Sequence, residues 1–141
     1  MKFTPRSDKE LEELNLITDG EYKADIFEAS DGKDKNGNGM ISLKLKVYDS
    51  NGKTRIMSDW LLESFPVKLK HFFYSSGMEE KYDSGEIYAK DCLYKEVIVS
   101  IITQPDKNGK KWNRVEDYIK VVSSPSIKNN FIDSDLPDLF S

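Results

Sequence analysis

One stretch near the middle of the chain, Met40 to Tyr48, restricts the fold more than any other. Apolar and polar side chains alternate through it without a break, so that one face carries Ile41, Leu43, Leu45 and Val47 and the other carries Ser42, Lys44, Lys46 and Tyr48. A period of two residues belongs to a β-strand with one buried side and one solvent-facing side. Because a lone strand cannot bury its apolar face, the stretch predicts a β-sheet around a core.

Four more segments have strand patterning. They are Glu21–Ala29, Lys53–Leu62, Val97–Ile102 and Trp112–Tyr118. Glu21–Ala29 and Trp112–Tyr118 alternate with a period of two, and Val97–Ile102 is a short β-branched run. In the third strand of the chain, Lys53–Leu62, Ile56 and Trp60 lie four residues apart with Arg55 and Met57 opposite. If the third strand pairs with the second, we expect Arg55 to join Lys44 and Lys46 on one outer surface.

Two segments predict helices. The capping-box spacing of Ser7 and Glu10 predicts a helix of about two turns near the N-terminus. Between the third and fourth strands, a second helix is predicted to begin with Ser64 as its N-cap and Pro66 in its first turn, and to end at Gly77. Its apolar stripe is predicted to lie in the core, plugging one end of a barrel, and consists of Phe65, Leu69, Phe72 and Phe73.

The order of the elements predicts the fold class. Five short strands with a helix between the third and fourth are the order of the OB-fold, a small Greek-key barrel that binds ligands on strands two and three. Its binding loops correspond to Asp31–Gly39 and Pro105–Lys111. We therefore expect an N-terminal helical segment over residues 1–19, an all-β OB-fold domain over 20–121 and a flexible acidic tail over 122–141. A small β-sandwich is the alternative architecture.

Charge and composition narrow the function classes. The chain has no apolar run of membrane-spanning length, no signal-peptide segment and one cysteine, Cys92, which together predict a cytoplasmic protein without a disulfide framework. Its net charge is -4. The acidic excess lies in residues 1–19 and 122–141, so segment 20–121 is neutral and its lysines and arginines are clustered. Local fields guide a phosphate chain more than net charge does.

The clustered cations and aromatics on the predicted strands and loops suggest a surface for single-stranded nucleic acid. We expect six basic side chains to neutralise phosphates: Lys44, Lys46, Arg55, Lys110, Lys111 and Arg114. Aromatic rings would stack on bases, with Trp112 foremost, then Tyr48 and Tyr118, and with Phe27 as a further candidate. The alternative is that these aromatics cover a barrel edge or an interface.

The loop after the first strand resembles the opening of an EF-hand calcium loop. Asp34, Asn36, Asn38 and Gly39 stand at the expected positions, but Leu45 occupies the position that should supply a bidentate carboxylate. Strand patterning also follows the loop where that motif needs a helix. We therefore expect a flexible hairpin loop and no metal site there.

No motif predicts an enzyme or a cofactor. The chain lacks a metal-ligand cluster, a phosphate-binding loop and a nucleophile motif. Its lone histidine, His71, has no ligand at metal-binding spacing and is expected to be structural or solvated. A few scattered acidic side chains could in principle bind magnesium, but acidic residues at strand ends are common, so they are weak evidence for such a site. These side chains are Asp59, Glu63, Glu116 and Asp117.

Several short motifs resemble a phage-encoded family, long described as a domain of unknown function and understood as OB-fold single-stranded-DNA-binding proteins. They are Gly20-Glu-Tyr22, Lys35 to Met40, the helix Leu69 to Gly77 and, above all, the hairpin Asn108 to Val115 (NGKKWNRV). The resemblance covers about residues 16–121. It implies binding of single-stranded DNA with little sequence preference, in phage DNA replication or recombination, in the cytoplasm of a bacterial host cell.

The C-terminus has a separate resemblance to bacterial single-stranded-DNA-binding proteins, which end in an acidic tip followed by an apolar residue, Pro and Phe. Asp133, Asp135, Leu136 and Pro137 match that order, whereas Asp138 and Leu139 intervene before Phe140, and Ser141 is last. The resemblance implies that the residues named here from Asp133 to Phe140 recruit replication or recombination proteins. An ordinary frayed terminus is the alternative.

Other function classes stay open at this point. One is a protein-interaction module without nucleic-acid binding, in which the aromatics and the tail contact proteins. OB-folds also bind RNA, so the sequence does not choose between DNA and RNA. It leaves open whether the chain forms a homo-oligomer.

Overall fold

The computed structural model of the chain describes residues 1–120, and it contains one antiparallel sheet with short helices. The strands are β1 (Gly20–Lys33), β2 (Gly39–Tyr48), β3 (Thr54–Leu62), β4 (Glu96–Pro105) and β5 (Lys111–Ile119). The helices are α1 (Asp8–Leu14), α2 (Pro66–Ser75) and α3 (Ala89–Cys92), with a 3-10 segment over Glu79–Ser84. The predicted all-β class and the helix between the third and fourth strands are confirmed. The predicted tail, residues 122–141, lies outside the described residues.

The strand order is β3-β2-β1-β4-β5, and every neighbouring pair is antiparallel. Strand β1 is shared, because Gly20 to Asp25 pair with β4 whereas Ala24 to Lys33 pair with β2. The register between β1 and β2 shifts at Phe27, which has no opposite residue in β2. Such a bulge bends a strand and increases its twist. Strand β1 therefore pairs with β4 along its first half and with β2 along its second half.

Three hairpin loops of the sheet have the same five-residue turn, which begins with an Asp. In each, one carboxylate oxygen of an Asp accepts the backbone N–H groups two and four residues later, at distances of 2.8–3.0 Å. The fourth residue is a glycine with φ between 80° and 82°, a conformation that other residues rarely adopt. The loops are Asp34–Asn38, Asp49–Lys53 and Asp106–Lys110. In the first, these hydrogen bonds, led by that from Asn38, lower the pKa of Asp34. The predicted hairpin at this loop is confirmed.

The core lies between the inner face of the sheet and α2. Phe72 and Phe73 of the predicted apolar stripe are buried, and the Phe72 ring meets Tyr118 edge-on with centroids 5.0 Å apart. Two predictions for this helix are wrong. Phe65 is the N-cap residue and is 61% exposed, because it precedes the first turn of the helix. Ser64 makes no capping hydrogen bond.

Strands β3 and β5 are the two edges of the sheet, and side chains link them across a gap. The buried Tyr118 hydroxyl on β5 donates to Asp59 on β3 at 2.7 Å. Lys68 of α2 donates to both Asp59 Oδ1 and the Val115 carbonyl at 3.0 Å. At the other end, the backbone of Ile17 exchanges two hydrogen bonds with the Asn113 amide. The N-terminal segment and α2 thus cover the space between the edges.

The N-terminal helix begins as predicted. The backbone N–H of Glu10 donates to the Ser7 hydroxyl at 3.2 Å, and the Ser7 N–H donates to the Glu10 carboxylate at 3.0 Å. These contacts form the capping box and lower the pKa of Glu10. Within residues 1–120, no helix is long and apolar enough to cross a membrane.

Candidate nucleic-acid interface

The outer side of strands β2 and β3 forms a mixed cationic and apolar surface, here called the β2–β3 face. Its members alternate with buried residues and lie opposite one another in register: Ser42 with Trp60, Lys44 with Ser58, and Lys46 with Ile56. Trp60 is 49% exposed. Among the described residues, neither Lys44 nor Lys46 makes an ion pair within 4.0 Å. Two cations and an open aromatic ring therefore share one surface.

The prediction that Arg55 joins these lysines is wrong. Arg55 lies opposite Val47, so it projects from the other side of the sheet. Its Nη1 donates to the Asn15 carbonyl at 2.8 Å, and its Nε lies 3.6 Å from the Asp49 carboxylate. Parity along the strand explains the error, since an odd-numbered residue of β3 cannot share a face with the even-numbered Ile56 and Trp60. Arg55 instead anchors the N-terminal segment.

Tyr48 lies at the end of β2, exposed as predicted. Its hydroxyl donates to Asp25 Oδ2 on β1 at 2.6 Å. This hydrogen bond to a carboxylate raises the pKa of Tyr48. The contact fixes the ring at the border of the β2–β3 face, and it engages an acidic group that lies opposite Lys46 in the ladder.

Two neighbouring grooves run between the β2–β3 face and the start of β4. The first has a volume of 460 Å³, and its lining includes Lys44, Trp60 and Phe27. The second has a volume of 530 Å³, and its lining includes Lys46, Lys95 and again Phe27. Tyr94 lines both grooves and is 82% exposed. Each groove therefore combines at least one lysine with aromatic rings.

Three of these groove residues, Trp60, Tyr94 and Lys95, were absent from the predicted site. The signal for Trp60 was present in the sequence, because pairing β3 with β2 through the Asp49–Lys53 turn fixes which residues lie opposite Ser42, Lys44 and Lys46. Tyr94 had no comparable signal. It lies in a linker between α3 and β4, and only the tertiary structure brings that linker beside β1.

The β4–β5 hairpin carries the second group of predicted residues, here called the hairpin face: Lys110, Lys111, Trp112 and Arg114. Trp112 is 43% exposed and lies opposite Gln104. The Arg114 Nε donates to the Gln104 side-chain oxygen at 2.6 Å, which holds the guanidinium along the strand surface. In the sheet order, β1 and β4 separate this face from β2 and β3.

The prediction that Tyr118 lies with Trp112 and Arg114 on the outer face is wrong. The β4–β5 ladder passes from Ile101↔Val115 to Ser100↔Asp117, so Glu116 is an extra residue with no opposite residue in β4. This bulge reverses the alternation and places Tyr118 in the core, where it is 1% exposed. Burial, followed by the charge and hydrogen bond of Asp59, raises the pKa of Tyr118 well above its ordinary value. Its ring is not available to a base.

The lone histidine and the lone cysteine occupy structural positions. His71 Nδ1 lies 3.0 Å from both carboxylate oxygens of Asp117, which links α2 to β5. Cys92 is buried, and burial raises the pKa of its thiol to about 12. Residues 1–120 contain no group of three or more His, Cys, Asp or Glu side chains able to hold a metal ion.

A family model described as a protein of unknown function (DUF669) matches residues 5–127, which include the whole sheet and both faces. No curated protein matches the chain. Because the family model spans most of its length, the chain belongs to the DUF669 family.

Proposed function

We propose that the protein binds single-stranded DNA with little sequence preference, in DNA replication or recombination. The observation that carries the proposal is the pair of open grooves on the outer side of β1, β2 and β3, whose linings contain lysines and aromatic rings together with the carboxylates of Glu28, Asp25 and Glu96. Aromatic platforms beside cations are the general solution for single strands, since every base has a π-face and every linkage has a phosphate.

Phosphate neutralisation is the first part of the proposed mechanism. Lys44 and Lys46 are two residues apart on β2, so their side chains leave the strand about 7 Å apart. That distance is comparable with the separation of successive phosphates in an extended strand. Lys95 borders the second groove, and Lys110 and Lys111 are the cations proposed to bind phosphates on the separate hairpin face. The binding constant should therefore fall as salt rises.

Base stacking is the second part. Trp60 is an exposed ring of the first groove, Phe27 borders both grooves, and Trp112 offers a further platform on the hairpin face. Each stacked base contributes roughly 1–3 kcal/mol. The contact makes no base-edge hydrogen bonds, which accounts for binding with little preference among sequences.

We propose further that the fold is an OB-fold barrel. The strand order, the sharing of β1 between β2 and β4, and the position of α2 between β3 and β4 support this assignment. The contacts of Tyr118 and Lys68 with Asp59 also bring the two edge strands near each other. The resemblance of the hairpin Asn108 to Val115 to phage single-stranded-DNA-binding proteins points to the same fold and to a phage setting.

The acidic C-terminus is the proposed recruiting segment for replication or recombination proteins. It carries Asp133, Asp135 and Asp138 beside Leu136, Leu139 and Phe140. An acidic and apolar peptide fits a basic, hydrophobic groove of a partner. These residues lie outside the part of the chain that the structure describes, so the proposal rests on sequence alone.

Titration with single-stranded DNA tests the proposed function. The chain has two tryptophans, Trp60 and Trp112, one on each face. Adding a thymidine oligonucleotide of about thirty nucleotides should quench their fluorescence, and the affinity should drop steeply between low and high salt. Equal quenching by the duplex form would contradict selectivity for single strands. Absence of any response would contradict the proposal. The alternative would then be a protein-interaction module, whose binding to a protein partner survives high salt.

A further inference from the structure

Tyr94 has a backbone conformation that its side chain does not favour. It has a φ of 63°, and every other residue with positive φ among residues 1–120 is a glycine. For a residue with a Cβ this left-handed region is strained, and such strain is concentrated at functional sites. The Tyr94 ring is 82% exposed, so core packing does not account for a tyrosine there.

The main chain around Tyr94 is attached firmly to the sheet. Its N–H donates to the Ile26 carbonyl at 2.7 Å, and the Ile26 N–H donates to the Lys95 carbonyl at 3.0 Å. Both bonds meet β1 immediately before the Phe27 bulge. The sheet therefore fixes the direction in which the Tyr94 side chain leaves the backbone.

Tyr94 stands where the two grooves meet. Both grooves share Tyr94 and Phe27, but Lys44 borders only the first and Lys46 only the second. A ring at this position has a cation on each side, and those cations project from the same strand two residues apart. This arrangement matches the repeat of a single strand, in which bases and phosphates alternate.

We infer that Tyr94 separates two consecutive nucleotide subsites, with a base stacked on its ring and the flanking phosphates bound by Lys44 and Lys46. The inference rests on the proposed function and adds the residue that divides the site. The strained backbone then has a role, since it holds an exposed ring over the surface instead of letting it fold down onto the sheet.

Substitutions at Tyr94 test the inference by fluorescence anisotropy of a labelled thirty-nucleotide thymidine strand. Tyr94→Ala should weaken binding about tenfold, while Tyr94→Phe should stay within about twofold of the unchanged protein. Phe65→Ala is the matched control, because Phe65 is an exposed aromatic away from both grooves, and it should bind normally. Tyr94→Gly relieves the backbone strain, so it should melt no lower than the unchanged protein and still bind as weakly as Tyr94→Ala.

The outcomes separate the two proposals. If Tyr94→Ala and Tyr94→Gly bind normally while Lys44→Gln with Lys46→Gln weakens binding, the Tyr94 subsite is overturned and the proposed function stands. If the unchanged protein does not bind single strands, both are overturned. Photocrosslinking gives a direct reading: a strand containing 5-iodouracil should form an adduct on the peptide that contains Tyr94. Adducts found only on other peptides would exclude stacking at this ring.

Discussion

The β2–β3 face and the hairpin face each present one tryptophan and at least two basic side chains on an antiparallel hairpin. They differ in how well the alternation of residues along the strand predicts which side of the sheet a side chain lies on. The β2–β3 ladder runs without interruption from Met40↔Leu62 to Tyr48↔Thr54. Every predicted outward residue of β2 is on the predicted side. The β4–β5 ladder contains one extra residue, Glu116, and beyond it the predicted orientation fails.

The difference shows that period-two patterning places a side chain only as far as the register continues. Reading Trp112 to Tyr118 with a strict period of two places Tyr118 outward, yet the apolar residues of this segment, Trp112, Val115 and Tyr118, lie three apart, whereas those of β2 lie two apart. The fold selects the bulge because the Tyr118 ring packs against Phe72 and its hydroxyl reaches Asp59. Tertiary contacts therefore override the local pattern at this position.

Deletion of single residues should produce the largest contrast between the two ladders. Deleting Lys44 makes Leu43 and Leu45 neighbours, which cannot both face the core, so we expect loss of cooperative folding. Deleting Glu116 removes only the bulged residue and leaves Val115 and Tyr118 facing inward. This variant should keep its fold, with a melting temperature within a few degrees. Thermal melts followed by circular dichroism measure both, and a folded Lys44 deletion would contradict the register argument.

A second contrast concerns two Tyr–Asp hydrogen bonds, one buried and one exposed. Tyr118→Phe leaves the buried Asp59 short of a donor and should lower the free energy of unfolding by about 1–3 kcal/mol. Tyr48→Phe removes the exposed bond to Asp25 and should cost less than about 1 kcal/mol. Urea unfolding of both variants checks the order, and equal losses would show that burial does not matter here.

The buried hydroxyl also predicts an alkaline limit of stability. The pKa of Tyr118 in the folded protein lies above its ordinary value of 10.0. Its contribution to stability is therefore complete below about pH 10 and is lost as the pH rises from there toward the folded pKa, because the unfolded chain releases the proton first. Unfolding measured between pH 8 and 11 should show a smaller alkaline loss in Tyr118→Phe. Parallel curves for the two proteins would argue against this titration.

Tryptophan substitutions measure how DNA affinity is shared between the two faces. Trp60→Ala should weaken binding of single-stranded DNA about tenfold, and Trp112→Ala several-fold, with both proteins folded. The single-tryptophan variants Trp60→Phe and Trp112→Phe report quenching from one face each. Quenching confined to Trp112 would place the binding site on the hairpin face. Unchanged affinity in Trp112→Ala would exclude Trp112 from the binding site.

Lysine substitutions should have the smallest effect on affinity at low salt and a clear effect on its salt dependence. Removing one phosphate-binding cation should reduce the slope of log affinity against log salt by about 0.7. We expect this change for Lys44→Gln and for Lys46→Gln. Lys53→Gln, in the exposed Asp49–Lys53 loop away from both grooves, is the control. An unchanged slope in all three would contradict phosphate binding on the β2–β3 face.

The sequence by itself determined the five strands, their order with a helix after the third, and the outward side of β2. These follow from local rules: the two-residue period of strands, the helical spacing of Leu69, Phe72 and Phe73, and turn residues such as Asn108-Gly109. It also placed Lys44, Lys46 and Trp112 at the surface. Such features depend on neighbours in the chain, which is why a single sequence suffices to predict them.

Only the tertiary structure decided which side chains meet across the sheet. It turned Tyr118 inward at a bulge, assigned Arg55 to the N-terminal segment, and brought Tyr94 beside Phe27 through hydrogen bonds to Ile26. Each outcome depends on residues distant in the chain whose burial and hydrogen bonds outweigh local preference. The composition of the candidate grooves is therefore a property of the packed sheet, since no local pattern specifies a linker's position against another strand.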